Sequence, residues 1–495
     1  MSNFKLNVMF AAVTAATLMS AGTPAMADST FDLVQTLVTK GILTEEEALP
    51  LLKGRENDIQ LADKKVKKAA RLSISDAVDN ATVYGDVRVR YEDRSGSGAT
   101  GIAPNQQGVN ETRQRARYKV TLGVKTESGD WYTDLALAMG AGGRSDNATF
   151  GKSATTSIDD KEALFVKRAM VGFKATDWLT LEAGRMNNPL YTSPMVWDPD
   201  LNFEGLAEKV TYKINDADLF FTAAQAQYQG DRKKFSTAGG DSTTTELFTF
   251  QGGAKYLFND HASAKAALTY TTLSHNTSKT PFKPGLSNEG AGSAVVPGTV
   301  NAAGTAFVAA KPATTGYAIA AGGVNDLDTI EIPAEMNYMV NNNIGVRLFG
   351  DYAYNTSADD RAIHSGLASA ANGSSNSDAT SWLLGLAIGS AADLKSFESN
   401  KMVKGDWSAR IWYQEVGVWS VDPNAVDSDF MDSRVNMKGT VLKAQYNFTD
   451  NVFANFAYGH GKRKNNTYGS AGATSDLALN LNDYDLYQLD LSYKF

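Results

Sequence analysis

The sequence predicts an all-β fold: a transmembrane antiparallel β-barrel of about sixteen strands, preceded by a short α-helical N-terminal segment. Three observations carry this. From Val83 onward, side chains alternate polar and apolar with a period of two over long stretches. Short polar turns alternate with long Gly/Ser/Thr/Asn-rich connections. The chain closes on an amphipathic strand whose last residue, Phe495, is aromatic. A wall with one face in lipid and the other on a lumen requires this alternation, and barrels of this kind have short turns at one end and long loops at the other.

The first residues have the form of a secretory signal. Lys5 gives a positive end, Val8 to Met19 is apolar apart from Thr14 and Thr17, and Ala25-Met26-Ala27 has the small-x-small cleavage pattern. Residues 1–27 are therefore expected to be removed. Residues 28–80 form a distinct segment. Phe31, Leu33, Val34, Leu37 and Val38 recur at helical spacing before the stop at Gly41, and Thr44 with Glu45, Glu46 and Glu47 opens a second helix through a capping box. A basic linker with Lys64, Lys65, Lys67, Lys68 and Arg71 follows. This periplasmic hairpin reads either as a solvated spacer or as an element that assists trimerisation or touches the envelope.

Residues 81–495 carry the barrel. In the first strand Val83, Gly85, Val87, Val89 and Tyr91 alternate with Asp86, Arg88, Arg90 and Glu92. In the second, Ala116, Tyr118, Val120, Leu122 and Val124 oppose Arg113, Arg115, Arg117, Lys119 and Lys125. The third sets Trp131, Leu135, Leu137 and Met139 against Tyr132 and Asp134. Turns are expected at Glu127–Asp130, Thr176–Asp177, Asn215–Asp218, Asn259–His261, Asn341–Asn343 and Thr449–Asn451. Strands are expected near 82–93, 112–126, 130–140, 162–175, 178–186, 206–215, 218–228, 245–258, 262–274, 327–340, 344–354, 380–390, 405–416, 438–448, 451–460 and 483–495. No segment after the signal offers the ~20 mostly apolar residues that a membrane-spanning helix needs, so a membrane location implies a closed barrel.

Composition excludes several chemistries. With no Cys there are no disulfides and no thiolate metal sites. A formal charge of −8 and a pI near 5.2 disfavour nucleic acid as a partner. Glycine is abundant at 43 residues, beside 20 Tyr and 22 Phe, and mean hydropathy is −0.29; a soluble secreted β-protein shares these bulk values, so the alternation decides. The four histidines, His261, His275, His364 and His460, lie in turns or beside loops and in no catalytic motif, so neither an enzyme nor a cofactor is expected. Acidic loop segments such as Asp427-Ser428-Asp429 and Asp359-Asp360 read as solvated charge, with a calcium site as the alternative.

Four stretches resemble a known family: Asp32–Lys53, Tyr84–Tyr91 (Tyr-Gly-Asp-Val-Arg-Val-Arg-Tyr), Gly184–Leu206 and Asp427–Gly439. The most distinctive is Gly184-Arg185-Met186-Asn187-Asn188-Pro189, followed by Trp197-Asp198-Pro199-Asp200-Leu201-Asn202 and Glu204-Gly205-Leu206. In these the chain resembles the putative porins of Gram-negative bacteria, which carry a short helical N-terminus. The resemblance implies an outer-membrane barrel with a water-filled pore, passing small hydrophilic solutes and ions by passive diffusion. It also implies contact with outer-membrane lipid and the assembly machinery, for which Phe495 is part of the signal; a homotrimer is one option that the sequence leaves open.

A sixteen-strand barrel is wide enough for a channel. By resemblance to general porins, residues 187–205, the third external loop, fold inward as the constriction, with Arg185, Asp198, Asp200 and Glu204 at the narrowest point. Arg88, Arg90, Arg113, Arg115, Arg117 and Lys119 would form the facing pore wall. An acidic loop opposed to a basic wall sets a transverse field, tilting selectivity weakly to anions. The loop acids equally suit hydrogen bonds that fasten the loop, and the wall charges suit mutual pairing. A structural or adhesive outer-membrane barrel without an open pore is the alternative reading of the whole chain.

Overall fold

The computed structural model describes residues 78–98, 108–140, 145–151, 162–229, 245–274, 299–300, 307–308, 326–364, 376–390, 403–466, 476–477, 479 and 481–495. The signal segment 1–27, the hairpin and linker expected to residue 77, and His275 lie outside the described residues. Val83–Phe495 forms a compact unit of its own.

Sixteen long antiparallel strands build it: β1 (Asn80–Gly98), β2 (Asn110–Ser128), β3 (Trp131–Gly140), β4 (Ala163–Lys174), β5 (Leu179–Asn187), β6 (Asn202–Ile214), β7 (Ala217–Gln229) and β8 (Thr245–Asn259), then β9 (Ala262–Leu273), β10 (Asp328–Glu331 and Ala334–Met339), β11 (Ile344–Asn355), β12 (Thr380–Ser390), β13 (Trp407–Val416), β14 (Met437–Asn447), β15 (Val452–Arg463) and β16 (Leu481–Lys494). A two-residue arm, Ala148–Thr149, hydrogen-bonds to β2 at Arg117 and Tyr118. Strand β10 breaks at Ile332-Pro333, as expected of a proline that cannot donate to the ladder. The first and last strands pair from Asp86↔Lys494 to Gly98↔Leu481, and Gly85 and Phe495 exchange both backbone hydrogen bonds, at 3.0 and 3.1 Å. The sheet is therefore a closed barrel.

The turns form at the positions the sequence marks. Gly129-Asp130, Asn215-Asp216 and Asp260-His261 join neighbouring strands, and Asn215 takes φ +51°, a left-handed conformation that Asn tolerates. The boundaries differ from expectation most at the loop ends of β1, which runs on to Gly98 rather than stopping near 93, and of β6, which begins at Asn202 rather than near 206. The third external loop is accordingly 188–201, shorter than 187–205 at both ends.

Alternation sorts the faces. Val87, Val89, Leu122, Leu135, Leu206, Phe221, Phe250, Leu348, Leu384 and Ile411 are exposed on the outside. Outward aromatic pairs ring the turn end of the barrel, among them Trp131–Phe173, Tyr256–Phe258, Tyr446–Phe448 and Tyr493–Phe495. Tyr118–Phe150, Trp382–Tyr413 and Tyr458–Tyr487 lie towards the loop end. Two aromatic girdles around an apolar band are the signature of a membrane-spanning barrel.

The inner face holds Arg90, Glu92, Arg94, Arg117, Thr121, Arg168, Gln251, Arg347 and Asp490, all buried. The loop between β13 and β14, residues 417–436, is packed inside the barrel. Its Val418, Trp419, Val421, Val426, Phe430, Met431 and Val435 form one apolar cluster with Leu383, Trp412, Val416, Val441, Tyr484 and Leu486 of the wall and Met195 of the third loop. Tight inner packing is visible at Gly385 of β12. A Cβ there would fall against the Phe349 ring and 2.6 Å from the Trp412 Cβ. Gly385→Val should force both rings aside, costing about 1–3 kcal/mol as overpacking does. The folded band on a semi-native gel should then be lost at a lower temperature than in the parent. An unchanged transition would contradict this packing.

Candidate functional site

The third loop (188–201) lies against the inner wall of β8, β10 and β11. Tyr191 N–H donates to Gln251 Oε1 (2.8 Å), and the Gln251 amide donates back to the Tyr191 carbonyl (2.7 Å). Thr192 Oγ1 donates to Glu331 and Ser193 Oγ to Asp351, each at 2.5 Å. Trp197 packs on Phe203 with ring centres 4.7 Å apart.

The loop then meets residues 417–436, the seventh external loop. Asp198 N–H donates to the Ala425 carbonyl (2.6 Å), Asp427 N–H to the Pro194 carbonyl (3.0 Å), and Ser428 N–H to Asp198 Oδ2 (3.1 Å). Four carboxylates, Asp198, Asp200, Asp427 and Asp429, are thereby drawn together, facing cations of β1, β2, β4 and β14. Arg90 donates to Asp429 at 2.7 Å, and Lys119 and Lys167 each approach Asp200 at 3.8 Å. Side chains of Asp200 and Asp429 keep 34% and 28% of their surface accessible, more than the wall cations they meet.

The pore-wall residues named from sequence are internally paired. Glu92, fully buried, receives Arg115 directly and lies 3.4–3.9 Å from Arg90, Arg94 and Arg117. Arg88 and Arg90 reach Asp490, Arg113 and Arg115 reach Asp476 from the last external loop, and Lys119 also approaches Asp146. The row from Arg113 to Lys119, which has no acid of its own, takes its partners from β1 and from three loops.

Two of the four expected constriction residues are not in the lumen. Arg185 and Glu204 pair with each other across the β5–β6 register, on the parity of Leu181, Leu206 and Tyr212, which face outward. Because β6 starts at Asn202, Glu204 is a strand residue, and the period of two sends it to the face opposite buried Phe203 and Ala207. Asp427-Ser428-Asp429 is corrected too. It is not solvated loop charge but lies inside the barrel against Arg90 and Lys443.

Sequence reasoning passed over the seventh loop as a folded element. Its backbone is strained: Met431, Asp432, Ser433 and Asn436 all have φ between +57° and +60°. Each such conformation costs of order 1–3 kcal/mol outside glycine. Asp432 holds it, accepting from Arg94 (2.8 Å) and from the Asp476 and Leu477 amides (2.8 and 3.0 Å). The signal that was available is the stretch Asp427–Gly439, one of the four that carry the family resemblance. His460 pairs with Asp485 at 2.9 Å on the outer face, and among the described residues no cluster of His, Asp or Glu has metal-ligand geometry.

Electrostatics differ across the four loop acids. Burial, aided by the Asp427 and Asp200 charges, pushes the Asp198 carboxyl up to about 7. Lys119, with Lys167 and Arg88, holds Asp200 down at about 2 against the effect of burial. Burial raises Asp427, whereas Asp429, against the desolvation it meets between the loops, is held well below the usual carboxylate range by Arg90 and Lys443. The loop junction therefore sets two carboxyls held low, Asp200 and Asp429, beside one held high, Asp198.

Residues 92–482 match the profile of the family described as "Putative porin". Comparison with curated proteins finds none that matches. Among solved structures, Pseudomonas aeruginosa OpdQ is similar at 12% identity, covering 85% of this chain and 99% of that one, with a TM-score of 0.40. A multiply substituted Rh. blastica porin is similar at 12% identity, covering 84% and 100%, with a TM-score of 0.36. A chain titled for the asymmetric conductivity of engineered proteins gives 12%, 84% and 100%, with a TM-score of 0.37.

The raised Asp198 carboxyl fixes a pH dependence. The folded junction binds a proton that the free carboxyl has lost, so its stability is full in acid, falls as pH rises from about 4 to about 7, and is level above. Hydrogen exchange at the amides of Asp198, Asp427 and Ser428, corrected for intrinsic rates, should be several-fold more protected at pH 5 than at pH 8. Asp198→Asn should remove that slope. Equal protection at both pH values in the parent protein would refute the assignment.

Proposed function

The chain belongs to the porin family matched over residues 92–482, and from that premise we propose an outer-membrane porin that passes small hydrophilic solutes and ions by passive diffusion. The observation that carries this is a closed barrel, apolar outside, whose inner wall and two inward-packed loops present opposed rows of charge. The pore's narrowest part is assigned to Asp200 and Asp429 on the loops, opposite Arg88, Arg90, Lys119 and Lys167. Arg115 and Arg117 act further back, tying Glu92 and keeping the wall rigid.

A weak lean towards anions is supported by the lumen below the seventh loop. A cavity of about 220 Å³ there is lined by four cations, Arg88, Arg90, Arg410 and Lys443, against two acids, Asp429 and Asp490. The second reading, a barrel without an open pore, is favoured by the apolar cluster that residues 417–436 form inside the lumen. Conductance in planar bilayers separates the two. The outward-facing Glu208, midway along β6 beside Leu181 and Ala223, fits a homotrimer contact better than lipid, which disfavours a charge there.

Neutralising Asp200 to Asn should make reversal potentials in a salt gradient more anion-selective. Lys119→Gln with Lys167→Gln should do the reverse. Both shifts should shrink near 1 M salt, where the Debye length falls to about 3 Å. Reversal potentials matching the parent at low salt for both variants would remove these residues from the constriction. Deleting Phe495, which closes the seam with Gly85 and turns its ring outward, should lower the amount of heat-modifiable barrel in the outer membrane. Unchanged levels would count against its role as assembly signal.

A further inference from the structure

The outward face of β13 to β16 changes character towards the loop end. Over mid-barrel it is apolar, with Ile411, Leu442, Phe456 and Leu489 exposed. The stacked rings of Tyr458 and Tyr487 close this band. Beyond them the register sets two polar rows. Thr440, His460 and Asp485 stand in the first, and Glu415, Lys438, Lys462 and Asp483 in the second, nearer the rim. Their neighbours settle the parity: Met437 belongs to the inner apolar cluster, and Gly459 and Gly461 face Phe430 and Met431 of the seventh loop.

Lys438 and Lys462 therefore stand side by side on the outer surface, directly opposite each other on adjacent strands. Such partners have Cβ atoms about 4.5–5.5 Å apart, a spacing at which like charges are destabilising. The flanking acids are engaged elsewhere. Glu415 accepts the Tyr413 hydroxyl (2.9 Å) and lies 3.8 Å from Lys464 Nζ. Asp483 accepts both the amide (3.1 Å) and the hydroxyl of Ser97, and Asp485 pairs with His460 (2.9 Å). Among the described residues, neither Lys438 nor Lys462 makes a hydrogen bond or an ion pair.

Two adjoining ammonium groups at the edge of an apolar face fit an anion that carries hydrocarbon with it. A soluble anion would use the lysines and leave the apolar face untouched. Lysine stems lie along apolar surface while their heads stay in water, so both groups can meet a charge at the boundary. Lys438 and Leu442 are four residues apart, about 13 Å along the strand, which carries a chain from the lysines onto the band.

We propose that Lys438 and Lys462 form a site for a phosphate-bearing lipid headgroup of the external leaflet, with its acyl chain along Leu442, Phe456 and Ile411. One phosphate between the two ammoniums replaces their repulsion with charge-assisted hydrogen bonds. The site requires that this face meet lipid and does not depend on conduction.

The test is native mass spectrometry of the full-length, detergent-folded barrel. It is titrated with phosphatidic acid, with phosphatidylcholine of the same chains, and with glycerol phosphate. Phosphatidic acid should bind at least tenfold tighter than either of the others. A lysine beside anionic lipid contributes about 1 kcal/mol, roughly fivefold in affinity. Lys438→Gln with Lys462→Gln should therefore weaken phosphatidic acid at least tenfold, while Lys438→Arg with Lys462→Arg keeps it within about threefold. Lys404→Gln, at the opposite rim beside Asp450, should leave it unchanged. Heat-modifiable mobility checks that every variant folds. Equal affinity for phosphatidylcholine, equal loss in Lys404→Gln, or parent-like binding by the double Gln variant would overturn the site. Glycerol phosphate binding as tightly as phosphatidic acid would overturn the lipid as occupant. Conductance is recorded alongside: a parent barrel that binds phosphatidic acid without conducting would sink the porin reading and leave this site standing.

Discussion

A sheet in lipid cannot keep an edge. Each unpaired N–H or C=O facing hydrocarbon costs several kcal/mol, so the first and last strands must find each other. Here the seam runs from Gly85–Phe495 to Gly98–Leu481, and everything else follows from it. Closure fixes which face is inside, and the period of two then consigns every second side chain of sixteen strands to the lumen. The lumen consequently collects far more charge than a protein interior normally holds.

That charge is not left bare. Arginines from β1 and β2 converge on Glu92, and Asp429, Asp432 and Asp476 reach them from two external loops. A buried pair rarely adds much net stability, but removing one partner strands the other in a dry site. The pairing therefore acts as a constraint on the loops: the seventh is drawn inward because Arg90 and Arg94 need its acids. Its apolar residues then find the wall of β12 to β16 and form a core where a simple pipe would have water. The strained turn at Met431–Ser433 persists because Asp432 is held on several sides.

Two inserted loops that grip each other divide the lumen into different environments. On the β1–β4 side, ionised acids face cations across an accessible gap. Beneath the third loop, cations stand beside rings. Asp198 lies at the junction, where its carboxyl accepts the Ser428 N–H of the other loop and burial raises its pKa.

The barrel was legible in the sequence because alternation is a local property: each strand announces its own faces, and Asn, Asp and Gly mark the turns between them. The sixteen strands and the inward faces of β1 and β2 follow from that pattern without any contact being known. The site was legible only in part. Asp198 and Asp200 stand on the inward loop, but Arg185 and Glu204 do not: Arg185 is a β5 residue on the outward parity, and for Glu204 four residues' difference in where β6 begins exchanges loop for strand and inside for outside. The seventh loop was invisible as a folded element because its position depends on Arg90 and Arg94 of β1, hundreds of residues away. Local sequence fixes the direction a side chain takes from its own backbone; which loop descends to meet it is decided by charge pairing and apolar burial between distant segments, and those exist only once the barrel has closed.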